Sequence, residues 1–372
     1  MKLNFTKRKF FYWIYLFCIT LILLECILRF YNPFHFRIKG DKIVLQTNKQ
    51  FIVTNEKIPV LDKRIVHTKN SLGFRGTEMP NDFSKYVSIL TVGGSTTECN
   101  YLSDGYTWSD NLSRLLQNDF KNAWLNNAGL AGHSTFGHQV LLEDYLVKLH
   151  PKIIIFLVGC NDVGREDLND SDKSSMVNYY RSLLTFLSKK TEVFNVLANI
   201  FRARQARTKN MTDTFLDLEA RKNDTLLLSQ EIMDLQVKQL NKSLVAYEQR
   251  LRLMVQTCRK NGIGPVLVTQ PTLLGSGIDS ATGANLETLK INDHLNGMLW
   301  WKQLEIYNAV TRKVAKEDDA LLIDLSRLMP KKSVYFYDMI HFTTQGAEKV
   351  GTIIYSQLKS YIAATYPDYL KN

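Results

Sequence analysis

Six consecutive apolar residues, Ile153-Ile-Ile-Phe-Leu-Val158, run directly into Gly159-Cys-Asn-Asp162. A strand with apolar side chains on both faces has none to offer to water, so it belongs inside a parallel sheet covered by helices on each side. That requirement sets the fold class as α/β.

A second run, Tyr86-Val-Ser-Ile-Leu-Thr-Val92, stops at Gly93-Gly94-Ser95-Thr96-Thr97. Two glycines remove the Cβ atoms that would crowd a sharp turn and let backbone amides approach a ligand closely. A small hydroxyl is then held at the carboxyl end of a strand, although the same residues also read as a tight turn in which Ser95 caps the next helical segment. No Gly-Lys-Ser/Thr comes after it, and Thr97 stands where a Gly-x-Ser-x-Gly elbow needs its last glycine. A P-loop and the nucleophile elbow of α/β-hydrolases are thereby set aside.

The remaining chain repeats the unit of strand, loop and helix. Leu112, Leu115 and Leu116 mark a helix over Ser109 to Asp119, with Thr107 or Ser109 as its cap. A short strand near Trp124-Leu-Asn126 leads into Asn127-Ala-Gly-Leu-Ala-Gly-His-Ser-Thr135, and a helix comes next with Leu141, Leu142, Tyr145, Leu146 and Leu149 on one face. Further on come a helix through Val245, Leu251, Met254 and Val255, the strand Pro265-Val-Leu-Val-Thr269, a helix over Leu299 to Lys316 and the strand Leu321-Leu-Ile-Asp324. Last is Tyr337-Asp-Met-Ile-His-Phe-Thr-Thr-Gln-Gly346, then a helix bearing Ala347, Val350, Ile354 and Leu358, capped by Thr343 or Thr344.

Two segments stand outside this rhythm. Lys2, Lys7, Arg8 and Lys9 precede an apolar stretch over 10–30, long enough to cross a bilayer as a helix. The basic cluster predicts the tail 1–9 in the cytoplasm and the rest of the chain outside the cytoplasmic membrane. A cleaved signal peptide and a buried core helix are the competing readings, and no small-x-small site comes after the stretch. The second segment, about 163–250, is rich in Lys, Arg, Asp, Ser and Asn and reads as a helical insertion, with Val177, Tyr180, Leu183, Leu184 and Leu187 on one stripe. Within it Phe194, Leu197, Ile200 and Phe201, followed by Arg202, Arg204, Arg207 and Lys209, read as a solvated cap helix or a membrane-surface helix.

Residues 31–83 are expected to be a connecting arm with β-like pieces at Ile43-Val-Leu45 and Phe51-Ile-Val-Thr54, and 363–372 a tail. Arg75 in the turn Ser71–Gly76 suits a structural salt bridge better than an anionic ligand. At 372 residues and 45% hydrophobic content the chain holds one catalytic domain, 84–362, plus these extras. Its formal charge of +11 is spread along the chain without a nucleic-acid-binding motif, so nucleic acid is not an expected partner. Five cysteines without a CxxC pair suggest neither a disulfide framework nor a zinc site.

Loops at the carboxyl ends of parallel strands open on one side, so Ser95, Gly132, Asn161, Asp338 and His341 can converge. Ester attack by a serine needs a base, which His341 can be, and the base needs an acceptor for its other nitrogen, which Asp338 can supply. The backbone amides of Ser95 and Gly132 and the side-chain amide of Asn161 can face the oxyanion. Asp-x-x-His as a helix-capping turn, and Asn161 as a tie within its own loop, stay open beside these roles.

The ordered set Gly93-Gly-Ser-Thr96, Asn127-Ala-Gly-Leu-Ala-Gly132, Gly159-Cys-Asn-Asp162 and Asp338-Met-Ile-His341 resembles the four blocks of the SGNH/GDSL hydrolase family. The resemblance implies a three-layer α/β/α, flavodoxin-like sandwich around a central parallel sheet and ester chemistry without cofactor or metal. It makes Ser95 the nucleophile and an oxyanion donor, Gly132 and Asn161 the other donors, and Asp338 and His341 the rest of the triad. Gly94 stands where the commoner form carries an acidic residue, as in the membrane-anchored bacterial branch often found with surface-polysaccharide genes.

The function expected is therefore an anchored serine esterase acting on O-acyl groups, acetyl foremost, of a small molecule or surface glycan. An O-acyltransferase uses the same residues, a lipase suits the anchor and the basic insertion, and a catalytically silent tethered binding protein is the non-enzymatic alternative. A metal site from His133, His138, Asp338 and His341 lacks the ligand spacing such a site needs.

Overall fold

In the computed structural model, residues 2–34, 36, 38–39, 42–165, 183–208 and 215–371 are described. They divide into two units: Met1–Gln46 with Lys173–Thr212, and Thr47–Asp172 with Asp213–Asn372.

The larger unit is built on five strands, β1 (Val87–Gly93), β2 (Ala123–Asn127), β3 (Ile153–Leu157), β4 (Gly264–Val268) and β5 (Leu321–Ile323), all parallel where they pair. Their order across the sheet is β5-β4-β3-β1-β2. This is the flavodoxin-like order, in which the chain leaves β1 for one side and returns to the other. Every residue of β1 and of β3 is buried, as their unbroken apolar runs require.

Side chains alternate across a strand. Ile89, Ile153, Ile155, Leu157, Val266 and Val268 therefore share one core, where the helix Trp108–Asp119 packs on the long C-terminal helix Thr344–Thr365. Two long helices, Asn241–Lys260 and Gly297–Glu317, pack on each other and on β4, and the interleaved Ile154, Phe156 and Leu267 are equally buried. Together these make three layers.

The helix expected after residue 135 is less regular than its leucines suggested: an α-helical turn Thr135–Leu141 passes into a π-helical stretch Leu142–Leu146 and a 3-10 turn Val147–Leu149. The wider π turn lets Leu141, Leu142 and Leu146 all face inward. In the arm, Lys49–Thr54 pairs antiparallel with Arg64–Lys69, adding a two-stranded hairpin to the larger unit.

The smaller unit consists mainly of helix Lys2–Phe30 and the helices Leu183–Lys190 and Glu192–Thr208 of the insertion, plus a short antiparallel pairing of Ile38–Lys39 with Lys42–Ile43. The span Arg8–Phe30 is long and apolar enough to cross a membrane, and none of its most apolar window is buried against protein. Of the stripe expected on the insertion, Val177 and Tyr180 lie outside the described residues, as does Lys209.

Candidate active site

The chain reverses its direction of progress across the sheet between β1 and β3, and the loops at their carboxyl ends flank the site. Leaving β1, the chain passes Gly94 and enters a single helical turn, Ser95–Glu98. In a helix this short only the Ser95 carbonyl finds a helical partner, the Cys99 amide at 2.8 Å, and those of Thr96, Thr97 and Glu98 are left over. Distant side chains supply them: Trp108 Nε1 donates to the Thr96 carbonyl at 3.0 Å, Asn127 Nδ2 to Thr97 at 2.6 Å, and one nitrogen of Arg75 to both Glu98 and Cys99 at 2.8 Å. Arg75 also reaches the Leu102 carbonyl at 2.8 Å and the Asp104 carboxylate at 3.1 Å. It is fully enclosed; the pair with Asp104 is the structural salt bridge expected of it, and the three carbonyl contacts come in addition.

Gly94 is required by a neighbour. A Cβ at this position would stand 2.4 Å from Asn161 Nδ2, so the absence of a side chain lets the Asn161 amide come in beside Ser95. Asn161 lies just past β3 and donates from Nδ2 to the His133 carbonyl at 2.9 Å. It thus ties the Gly132 loop to the β3 loop, leaving its second amide hydrogen for another acceptor.

The Gly132 loop is strapped to β1 by Ala128 N to Thr91 O and Leu130 N to Gly93 O, both 2.9 Å. Gly132 has φ +80°, a conformation that L side chains rarely adopt, and open space lies where a Cβ would be. Beside it the Ala131 amide donates to Glu98 Oε2 at 2.6 Å, and the other oxygen of Glu98 pairs with the buried Lys69 ammonium at 3.0 Å. The turn that begins at Ser95 therefore also holds the loop carrying Gly132.

Asp338 and His341 arrive on the loop before the C-terminal helix, which Thr343 caps by accepting the Gly346 amide at 3.1 Å. Asp338 Oδ1 accepts the backbone amides of Ile340 at 2.8 Å and His341 at 2.7 Å, while Oδ2 lies 2.6 Å from His341 Nδ1. The other ring nitrogen, Nε2, lies 2.7 Å from Ser95 Oγ. The Tyr337 ring stacks on the imidazole with centroids 5.4 Å apart, and Thr272 Oγ1 donates to the Met339 carbonyl at 2.7 Å. Both members of the pair are buried, and Ser95 is partly exposed.

All five residues singled out in the sequence thus fall on loops at one edge of the sheet, with Ser95, His341 and Asp338 in one hydrogen-bonded line. An imidazole so placed can take the hydroxyl proton as the oxygen attacks a carbonyl carbon, while the carboxylate fixes the tautomer. Cys160 and Cys99, neighbours of the site in sequence, are not competing nucleophiles: burial pushes each thiol up to about 12. Among the described residues no group of three His, Cys, Asp or Glu side chains is placed to hold a metal. His133 and His138 are buried with rings 6.4 Å apart.

Several supporting residues carried no legible signal. Asp162, fully enclosed, accepts the Thr135 amide at 3.1 Å and pairs with the Arg250 guanidinium at 3.0 Å, and that guanidinium lies 3.6 Å over the Phe136 ring. The β3 loop, the helix after the Gly132 loop and the Asn241–Lys260 helix are locked together there. Asp162 ends the block Gly159–Asp162, but nothing in the sequence pairs it with Arg250.

A parallel sheet of this order with a serine, histidine and aspartate line at its carboxyl edge defines the class of α/β ester hydrolases. Residues 91–349 match the GDSL-like Lipase/Acylhydrolase family, and the five site residues all lie inside that range. The chain belongs to this family and is an ester-bond hydrolase.

Similar solved structures include the acetyl xylan esterase AlAXEase, at 14% identity and TM-score 0.42, covering 72% of this chain and 98% of that one. The acetylxylan esterase Axe2 from Geobacillus stearothermophilus is 13% identical with TM-score 0.42 over 73% of this chain and 93% of its own. A lipase/acylhydrolase from Enterococcus faecalis is 14% identical with TM-score 0.41 over 76% and 97%. No curated protein matches the chain.

Proposed function

We propose that the chain is a membrane-anchored serine esterase that removes O-acyl groups, acetyl foremost, from a cell-surface glycan. In this reading residues 1–9 are a cytoplasmic tail, 10–30 the anchor, 31–83 an arm, 84–362 the extracytoplasmic catalytic domain with its insertion at about 163–250, and 363–372 a tail. Ser95 attacks the ester carbonyl, His341 takes its proton and later returns it to the leaving sugar oxygen, and Asp338 steadies the imidazolium. The backbone amides of Ser95 and Gly132 and Asn161 Nδ2 receive the oxyanion, and water then releases the acyl group from Ser95.

The observation that carries the reading is the pair of contacts made by one imidazole, 2.7 Å to Ser95 Oγ and 2.6 Å to Asp338 Oδ2. The anchor is supported by the one helix among the described residues that is long and apolar enough to cross a membrane, and by the basic residues before it. The acetyl and glycan parts rest on the membrane-anchored branch that the Gly-Gly-Ser-Thr block resembles.

The test is hydrolysis of a short acyl ester and of an acetylated polysaccharide by the full chain in membranes, beside Ser95→Ala. The substitution is expected to lower kcat by about 10⁴-fold or more with the protein still folded. An unchanged rate would overturn the assignment of Ser95. Release of long acyl chains in preference to acetyl would overturn the substrate class.

A further inference from the structure

The apolar helix α1 (Lys2–Phe30) ends in an ion pair of its own, Arg29 Nε to Glu25 Oε1 at 2.8 Å. Glu25 also accepts the backbone amides of Glu192 and Val193, each at 3.0 Å, and Arg29 donates to the Lys190 carbonyl at 2.8 Å. Lys190 ends the insertion helix Leu183–Lys190 and Glu192 begins the helix Glu192–Thr208. Where two helices meet, the carbonyls of one and the amides of the next lack helical partners. One pair of side chains from α1 reaches into both sets, Glu25 taking two amides and Arg29 one carbonyl. Asn32 Nδ2 adds a hydrogen bond to Glu192 at 3.2 Å, and Lys39 an ion pair.

The helix so fastened has two unlike faces. Asn195, Val196, Ala198 and Asn199 are buried, whereas Leu197, Ile200 and Phe201 are 54, 52 and 49% exposed. Spacing of three and four residues puts these three on one stripe. Phe186, on the preceding helix, is likewise exposed. The apolar part, Glu192–Phe201, is about half the ~20 residues that crossing a bilayer takes. Arg202, Arg204 and Arg207 come after it. A short apolar face continued by cations suits the boundary between acyl chains and phosphates, and not the bilayer centre.

The depth is set by α1. Counting about 20 residues outward from Lys9 places the far edge of the hydrocarbon near Arg29 and Glu25 just beneath it. A carboxylate there needs partners, and the Glu192 and Val193 amides supply them.

Resting on the reading of α1 as a membrane-crossing helix, we propose that the insertion helix Glu192–Thr208 is a second membrane contact, with Leu197, Ile200 and Phe201 in the outer leaflet beside the anchor. Lipid is the occupant of its exposed face, and Arg204 faces the phosphates. The insertion thereby belongs to the membrane attachment, and α1 is needed after export as the cap of that helix.

The test uses the full chain with Cys18→Ser and Cys26→Ser, reconstituted in vesicles of phosphatidylethanolamine and phosphatidylglycerol. An environment-sensitive fluorophore is placed on Leu197→Cys or Ile200→Cys, with Glu231→Cys as the water-exposed comparison and the parent chain as labelling background. Labels at 197 and 200 are expected to emit at shorter wavelength, to be quenched by nitroxide lipids, and to be several-fold less accessible to aqueous iodide than the label at 231. If the protein resists carbonate extraction while the labels at 197 and 200 are as accessible to iodide as that at 231, the proposal is overturned and the anchor stands. If carbonate strips the protein from the vesicles, the anchor reading has failed and the proposal falls with it.

Discussion

In the proposed mechanism Asn161 is one side chain with two obligations. Its amide holds the His133 carbonyl at 2.9 Å and occupies the space that Gly94 leaves open. Asn161→Ala should therefore lower kcat on a short acyl ester by about 10²- to 10³-fold, the usual cost of losing one oxyanion donor, with KM little changed. A decrease in kcat/KM carried by KM alone would make Asn161 a binding residue. His67 is the corresponding residue for stability. It is buried, and burial first and the Arg75 charge second hold its imidazole down to about 4 from the usual 6.5. Between those values the unfolded chain binds a proton that the folded chain refuses. The stabilisation is therefore complete above about pH 6.5 and is lost as pH falls toward 4, by up to about 3 kcal/mol. Denaturant midpoints measured across that window should fall with pH, and His67→Gln should flatten the slope.

At the scale of elements, the serine-bearing turn is held from outside itself. Trp108, Asn127 and Arg75 cap the carbonyls of Thr96 through Cys99, so a four-residue helix acquires the rigidity of the segments that supply them. Arg75→Met would leave the Glu98, Cys99 and Leu102 carbonyls buried without that partner, at a cost above about 3 kcal/mol by denaturant unfolding. A loss below about 1 kcal/mol would mean that water replaces the guanidinium. The strands, the glycine turn and the Asp-x-x-His loop were legible in the sequence because each announces itself within a few residues. The unbroken apolar run Ile153–Val158 has one physical explanation, and an N-cap such as Thr343 stands beside its helix. Arg75, Glu98 and Arg250 were not legible in these roles. Capping a carbonyl or pairing a carboxylate across a separation of 23 to 88 positions leaves no periodic trace. The π-helical stretch after Leu141 was hidden for a related reason, since adjacent buried leucines also fit an ordinary helix.

At the scale of the whole molecule, the topology brings a serine at residue 95 and a histidine at residue 341 to one edge of a sheet whose first strand lies near its middle. No contiguous fragment short of nearly the full catalytic segment contains both. The same fold encloses Cys99 and Cys258 and leaves Cys160 half-covered, all without a disulfide. With the three thiols pushed up to about 12, only about one in ten thousand is ionised at pH 8. Exposed Cys18 and Cys26 lie within the apolar helix, which lipid surrounds in the proposed arrangement. Mass spectrometry after diamide treatment of the reconstituted chain should find Cys99, Cys160 and Cys258 unmodified while the protein is folded, and modified once it is denatured. In the proposed arrangement outside the membrane, a catalyst built this way keeps its sulfur atoms out of thiol exchange by burial and not by pairing them.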